Sequence, residues 1–177
     1  MGIIKNITEI KRNEIALKQA ADIFENIQTG IYIYELEDPD DDRSLRLIAA
    51  NPASEILTGA PLKDIIGKTI DENFPGLRKK GIPQMYFEVI RTKSQFAIDD
   101  LYYSDHRVLE GAFSIKAFSL PNQRIGIAFE SITERIEADK ILRMSEERYR
   151  TLFEQAADGI MVGDNSGKII NANNNIL

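Results

Sequence analysis

Few side chains in this sequence are suited to chemistry. It has no cysteine and one histidine, His106, set in the polar run Ser104-Asp105-His106-Arg107 between two apolar stretches. Disulfides, thiolate metal sites and cysteine nucleophiles are therefore excluded, and the count fits a reducing compartment. A lone histidine in a polar turn is expected to be a solvated loop residue, not a ligand, general base or phosphoacceptor. Asp38, Asp40 and Asp42 have the first three spacings of a calcium loop, but Arg43 stands where that loop needs glycine and Ala49 where it needs a bidentate glutamate. A solvated hairpin loop is the expectation there. The basic run Arg78-Lys79-Lys80, between Gly76 and Gly81, is expected to be solvated rather than to hold an anion. With no P-loop, no paired nucleophile and base and no metal-spaced cluster, the chain is expected to catalyse nothing and to bind no metal.

Composition narrows the partners. The 177 residues are 43% hydrophobic and 28% charged, enough for one domain of about 100 to 120 residues with extensions. Twenty-two Lys and Arg against 28 Asp and Glu give a net charge of −6, which argues against nucleic acid, whose phosphates need clustered positive charge. No apolar run approaches the ~20 residues of a membrane span. The expectation is a cytoplasmic segment without membrane contact, and anchoring of a longer parent stays open.

The positioning elements follow from periodicity. Residues 6–27 read as an amphipathic helix with Ile10, Leu17, Ala20, Phe24 and Ile27 on one seam and Asn13 in its gap. A buried Asn in a narrow seam suits a two-stranded coiled coil and hence a homodimer through this helix; packing of the stripe on its own domain is the other reading. Strands are expected at 31–36 and 45–50, short helices at 52–58 and 62–66, a turn at 71–74 and a longer helix at 83–93. Strands at 95–103, 107–120 and 124–131 complete the set, the last two joined by Pro121-Asn122-Gln123. Five antiparallel strands with helices inserted after the second make an α+β domain, one sheet face covered by short helices and the whole flanked by N- and C-terminal amphipathic helices.

The stretch RIGIAFESITER, residues 124–135, joins core to exit. It alternates as a strand through Phe129 and passes without a Pro or Gly break into a charged helix, with Ser131 and Glu134 at capping-box spacing. In that helix Ala138, Leu142, Ser145, Tyr149 and Leu152 form a three-four seam.

The chain also repeats itself. FENIQTGIYIYE at 24–35 recurs as FEQAADGIMVGD at 153–164, Ala50-Asn51 as Ala172-Asn173, and Ile7-Thr8-Glu9 as Ile132-Thr133-Glu134. With Ala50-Asn51-Pro52-Ala53, Leu62-x-x-Ile65-Ile66-Gly67-Lys68, Ile132-Thr133-Glu134-Arg135 and Glu146-Glu147-Arg148-Tyr149-Arg150-x-Leu152-Phe153 in this order, nearly the whole chain resembles the PAS sensory domains of multi-sensor signalling proteins. Ser131 and Thr29 depart from the pattern, each standing where that family usually has Asp. The resemblance implies a linker helix at 1–22, a PAS domain at 23–133, a second linker helix at 134–152 and the truncated start of another PAS domain at 153–177.

It further implies a site between the helices and the concave sheet face. The residues expected there are Phe74, Phe87, Ile90, Ile98, Phe113, Ile115, Ile127 and Phe129, with Tyr102 or Arg107 as polar contacts at the rim. The family's flavin-adduct and p-coumaric acid sensors need a cysteine, and its usual haem sensors need a histidine on the long helix, so those cofactors are argued against and the cofactor stays unknown. Ser131, Thr133 and Glu134 would relay the signal to neighbouring PAS and effector domains. The implied parent is a histidine kinase of a two-component system responding to a small molecule or an interface change. The alternative is a ligand-free spacer or dimerisation module in a diguanylate cyclase or transcriptional regulator.

Overall fold

The computed structural model describes residues 2–105, 108 and 110–176, with side chains from Ile10 onward. The chain divides into two units, Met1–Thr133 and Glu134–Leu177. The first begins with helix α1 (Gly2–Asn26), followed by strands β1 (Gly30–Leu36) and β2 (Leu45–Ala50). Short helices α2 (Pro52–Thr58), α3 (Leu62–Ile65), α4 (Ile70–Asn73) and α5 (Pro75–Lys79) lead to the longer α6 (Ile82–Thr92). Strands β3 (Gln95–Tyr103), β4 (Gly111–Leu120) and β5 (Arg124–Ser131) complete it.

The sheet is antiparallel in the order β2-β1-β5-β4-β3, so the strand nearest the exit lies at its centre. Alternation decides which side chains face the helices. Tyr32, Tyr34 and Leu36 of β1, Phe113, Ile115 and Ala117 of β4, and Ile125, Ile127 and Phe129 of β5 are buried on one face. They pack against Ile65, Ile70, Phe74, Ile82, Tyr86 and Val89 from the helices. The class is α+β, with short helices on one face of a five-stranded sheet.

Local chemistry sets the helix starts. Asn51 caps α2 by accepting from Ser54 N, Pro52 fits the first turn, and Gly59 closes the helix at φ 74 in the left-handed region. Thr69 and Glu72 form a reciprocal capping box, which starts α4 one residue before the turn expected at 71–74. Helix α1 begins at Gly2, four residues before the expected start at residue 6. Strand β4 begins at Gly111, four residues later than expected, because Asp105 and Val108 close a turn by exchanging backbone and side-chain hydrogen bonds.

One reading of a polar segment is corrected. Residues 75–79 form a helix, and Arg78 is not solvated. Its Nε and Nη2 each donate at 2.7 Å to the Asp71 carboxylate, and its Nη1 donates at 3.0 Å to both oxygens of Asp42. The guanidinium thus ties the β1–β2 turn to α4 and α5 with charge-assisted bonds. Asp38 and Asp40 stay exposed, as the hairpin-loop reading has it, with Asp38 Oδ1 accepting from Asp40 N.

The second unit holds the body of α7 (Thr133–Gln155) and a hairpin of β6 (Met161–Gly163) and β7 (Ile169–Ala172). Its Asn173 reproduces a network found in the first unit. Asn51 accepts from Ile31 N at 2.8 Å and donates to Thr29 O at 2.9 Å; Asn173 accepts from Ile160 N at 2.8 Å and donates to Asp158 O at 2.9 Å. The repeat seen in the letters is therefore a repeat of hydrogen bonding. Phe153 stacks on Tyr149 with centroids 5.5 Å apart, while Met161, Ile169 and Ile170 stay exposed.

Candidate functional site: an aromatic cavity beside the exit junction

Between the sheet and the helices lies a cavity of about 60 Å³. Phe74, Phe113, Ile115, Ile127 and Phe129 line it, joined by Tyr32, Tyr34, Tyr86, Leu101 and Tyr103. The rings interlock: Tyr32 and Phe129 are 4.9 Å apart at the centroids, Tyr32 stacks on Phe74 at 5.8 Å, and Tyr103 meets Phe74 edge-on at 6.4 Å. A Cβ added to Gly30 would come within 2.5 Å of the Phe129 ring, so this glycine gives that ring its place.

Four expected site residues lie elsewhere. Tyr102 is 56% exposed and points away, and its neighbours Leu101 and Tyr103 take the inner face. The cause is a bulge in β3: Ile98 pairs with Ile115 and Leu101 with Phe113, so Asp99 and Asp100 occupy the space of one residue and the alternation changes phase. Ile98, on the far side of the bulge, is half-buried against the core, as is Phe87 on the flank of α6. Ile90 is buried in the core but forms no part of the cavity wall, where Tyr86, one turn earlier, is the residue α6 presents. Arg107 and His106 lie outside the described residues. The signal for the tyrosines was present in the alternation of IYIYEL, which puts Tyr32 and Tyr34 on one face; the bulge left none that could place Tyr103.

Burial raises the phenol pKa of each cavity tyrosine. Loss of solvent is the largest cause for Tyr32, Tyr34, Tyr86 and Tyr103, so all four hold their protons above the usual tyrosine range. Tyr32 shares a 3.3 Å bond with Thr58 Oγ1, and Tyr103 donates to Asp105 Oδ2 at 2.6 Å. Among the described residues, no group of three or more His, Cys, Asp or Glu is gathered where a metal ion could sit.

The exit is built tightly onto the sheet. Strand pairing continues to Ser131, which lies opposite Phe113 of the cavity wall, and α7 begins at Thr133. Ile132 N donates to Ala112 O at 2.8 Å, and Ala112 N donates to Thr133 Oγ1 at 3.0 Å. Ser131 Oγ donates to the same hydroxyl at 3.2 Å. The reciprocal Ser131–Glu134 capping pair is thus replaced: ladder pairing holds Ser131 in the strand, and Thr133 becomes the anchoring side chain. Glu134 is exposed in the first turn of α7, where a carboxylate suits the helix dipole.

A family model described as PAS domain matches residues 18–88 and 147–176, more than half of the chain. The chain belongs to the PAS family. Sporulation kinase E of Bacillus subtilis is 25% identical over 98% of this PAS chain, which spans 23% of that protein's length. Among solved structures, the PAS domain of a Colwellia psychrerythraea protein is 18% identical with a TM-score of 0.53, covering 67% of this chain and 98% of that one. An RNA-binding light-oxygen-voltage receptor is 15% identical with a TM-score of 0.57, covering 78% of this chain and 39% of that one. These structures share the PAS fold, and the chain is a PAS sensory domain with a distant relative named as a sporulation kinase. No helix among the described residues is long and apolar enough to cross a membrane.

Proposed function

We propose that this PAS domain is the sensory part of a multi-domain histidine kinase, in which a small molecule in the cavity, or a change at a dimer interface, alters the pairing of β4 and β5 and so the start of α7. The carrying observation is the continuity of wall and exit: Phe113 lines the cavity, and its neighbour Ala112 bonds both Ile132 N and the Thr133 hydroxyl. A stimulus acts only if it binds two arrangements of that junction with different affinity. The kinase context is supported by the relative from Bacillus subtilis. Dimerisation is supported by the exposed apolar residues Ile10 and Leu17 on α1, and further coupling by Leu142, Tyr149 and Leu152 on α7.

A second reading, a ligand-free spacer that only dimerises the array, is favoured by the size of the cavity, since about 60 Å³ is far below the roughly 300 Å³ of a drug-sized pocket. Insertions of one to four residues after Ser145, in a kinase carrying this segment, separate the two. The sensing relay predicts output that rises and falls with helical phase; output indifferent to phase supports the spacer and contradicts the relay.

A further inference from the structure

The cavity tyrosines differ in what their hydroxyls have left to give. Thr58 Oγ1 donates its hydrogen to Ser54 O at 2.7 Å, so in its contact with Thr58 the Tyr32 hydroxyl is the donor. Tyr103 has spent its proton on Asp105. Tyr34 and Tyr86, 1% and 3% exposed, both line the cavity, and among the described residues neither hydroxyl has a hydrogen-bond partner. On a wall that is otherwise nearly all apolar, these two hydroxyls are the groups left free to bond a guest molecule.

We propose that this cavity binds a small neutral molecule bearing a carbonyl or hydroxyl oxygen, a short-chain ketone or alcohol, held by the Tyr34 and Tyr86 hydroxyls. The inference rests on the ligand-sensing reading above and deepens it. Size sets the upper limit: a water needs about 10–15 Å³ of such space, so the cavity has room for roughly four to six water-sized positions. Charge sets the class. No Lys or Arg is among the described residues of the wall to hold an anion, and no carboxylate is among them to hold a cation. The rings are packed on one another at 4.9 to 6.4 Å, which leaves no open cage of aromatic faces for an ammonium group. The remaining complement is an oxygen to meet the two free donors and a few carbons to meet Ile115, Ile127 and Phe129.

The test is a methyl-resolved NMR titration of the full chain with butanone and propanol, against cyclopentane, acetate and tetramethylammonium, in the native protein and in Tyr34→Phe and Tyr86→Phe. Expected are saturable shifts at the Ile115 and Ile127 methyls with the two oxygen-bearing probes, and about five-fold weaker binding in each variant. The thermal midpoint without probe should be unchanged in both variants, since neither hydroxyl bonds another described residue. Cyclopentane binding as tightly as butanone, with both variants like the native protein, would overturn the ligand class and leave the sensing reading with an apolar ligand. Preference for acetate or tetramethylammonium would overturn the class in the same way. A lowered midpoint in the unliganded variants would overturn it too, because the hydroxyls would then already serve the fold. Binding of no probe would overturn both the ligand class and the small-molecule form of the sensing reading.

Discussion

Replacing Asn51 with alanine removes a side chain that is fully buried and holds three backbone groups at once. Ile31 N, Ser54 N and Thr29 O lose partners at 2.8, 3.2 and 2.9 Å. The lost cap on α2 costs about 1 kcal/mol, and two further groups left without partners at the start of β1 cost about 1 kcal/mol each, giving about 3 kcal/mol. For a chain of this size that corresponds to a fall in thermal midpoint of about 6 to 12 °C. Urea unfolding followed by circular dichroism, which needs no tryptophan, reads the same loss as a lower midpoint with unchanged slope. Asn51→Asp keeps the acceptor but sets a carboxylate at a fully buried site against Thr29 O, so at neutral pH it should cost at least as much. A loss below about 1 kcal/mol for the alanine variant would refute the assignment of Asn51 as the clasp between β1 and α2.

Three further outcomes follow from the same geometry. Gly30→Ala drives a methyl into the Phe129 ring and should cost about 1 to 3 kcal/mol by urea unfolding, with the largest shifts in NMR spectra at cavity residues. Arg78→Ala should cost about 1 to 2 kcal/mol, because it unpairs Asp42 and Asp71 in a half-buried setting; Arg91→Ala, which breaks only the exposed pair with Glu88, should be close to neutral in the same assay. The raised pKa values of Tyr32, Tyr34 and Tyr86 make a contribution to stability that is fully present below the unfolded-state value near 10 and is lost as pH rises beyond it, so the urea midpoint should fall steeply above about pH 10. Phenolate absorbance appearing for these tyrosines while the protein stays folded would contradict that.

Much of this fold was legible in the letters. Strands β2, β3 and β5 and helix α2 fall on the expected residues, because their alternation and their Pro, Gly and Asn punctuation agree with the tertiary environment. The wall of the cavity was legible where alternation runs unbroken, at Phe113, Ile115, Ile127 and Phe129. It was not legible across β3, since a bulge at Asp99-Asp100 depends on the partner strand and leaves no local mark, and Tyr102 and Tyr103 exchange faces as a result. Arg78 was read from its basic neighbours and its flanking glycines, yet its fate is set by Asp42, 36 positions away in sequence. The capping pair at Thr69 and Glu72 was available at the correct spacing, whereas the similar pair at Ser131 and Glu134 lost to the strand pairing that runs through Ser131.

The most direct test of the relay is hydrogen exchange at the Ala112 and Ile132 amides in two size-matched variants, Ile127→Val on the cavity wall and Ile65→Val in the core outside it. Each removes one methylene and should cost about 1 kcal/mol. If β5 carries cavity strain into the junction, the two amides lose more protection in Ile127→Val than in Ile65→Val at equal overall stability. Equal protection at Ala112 and Ile132 in both variants would contradict the account.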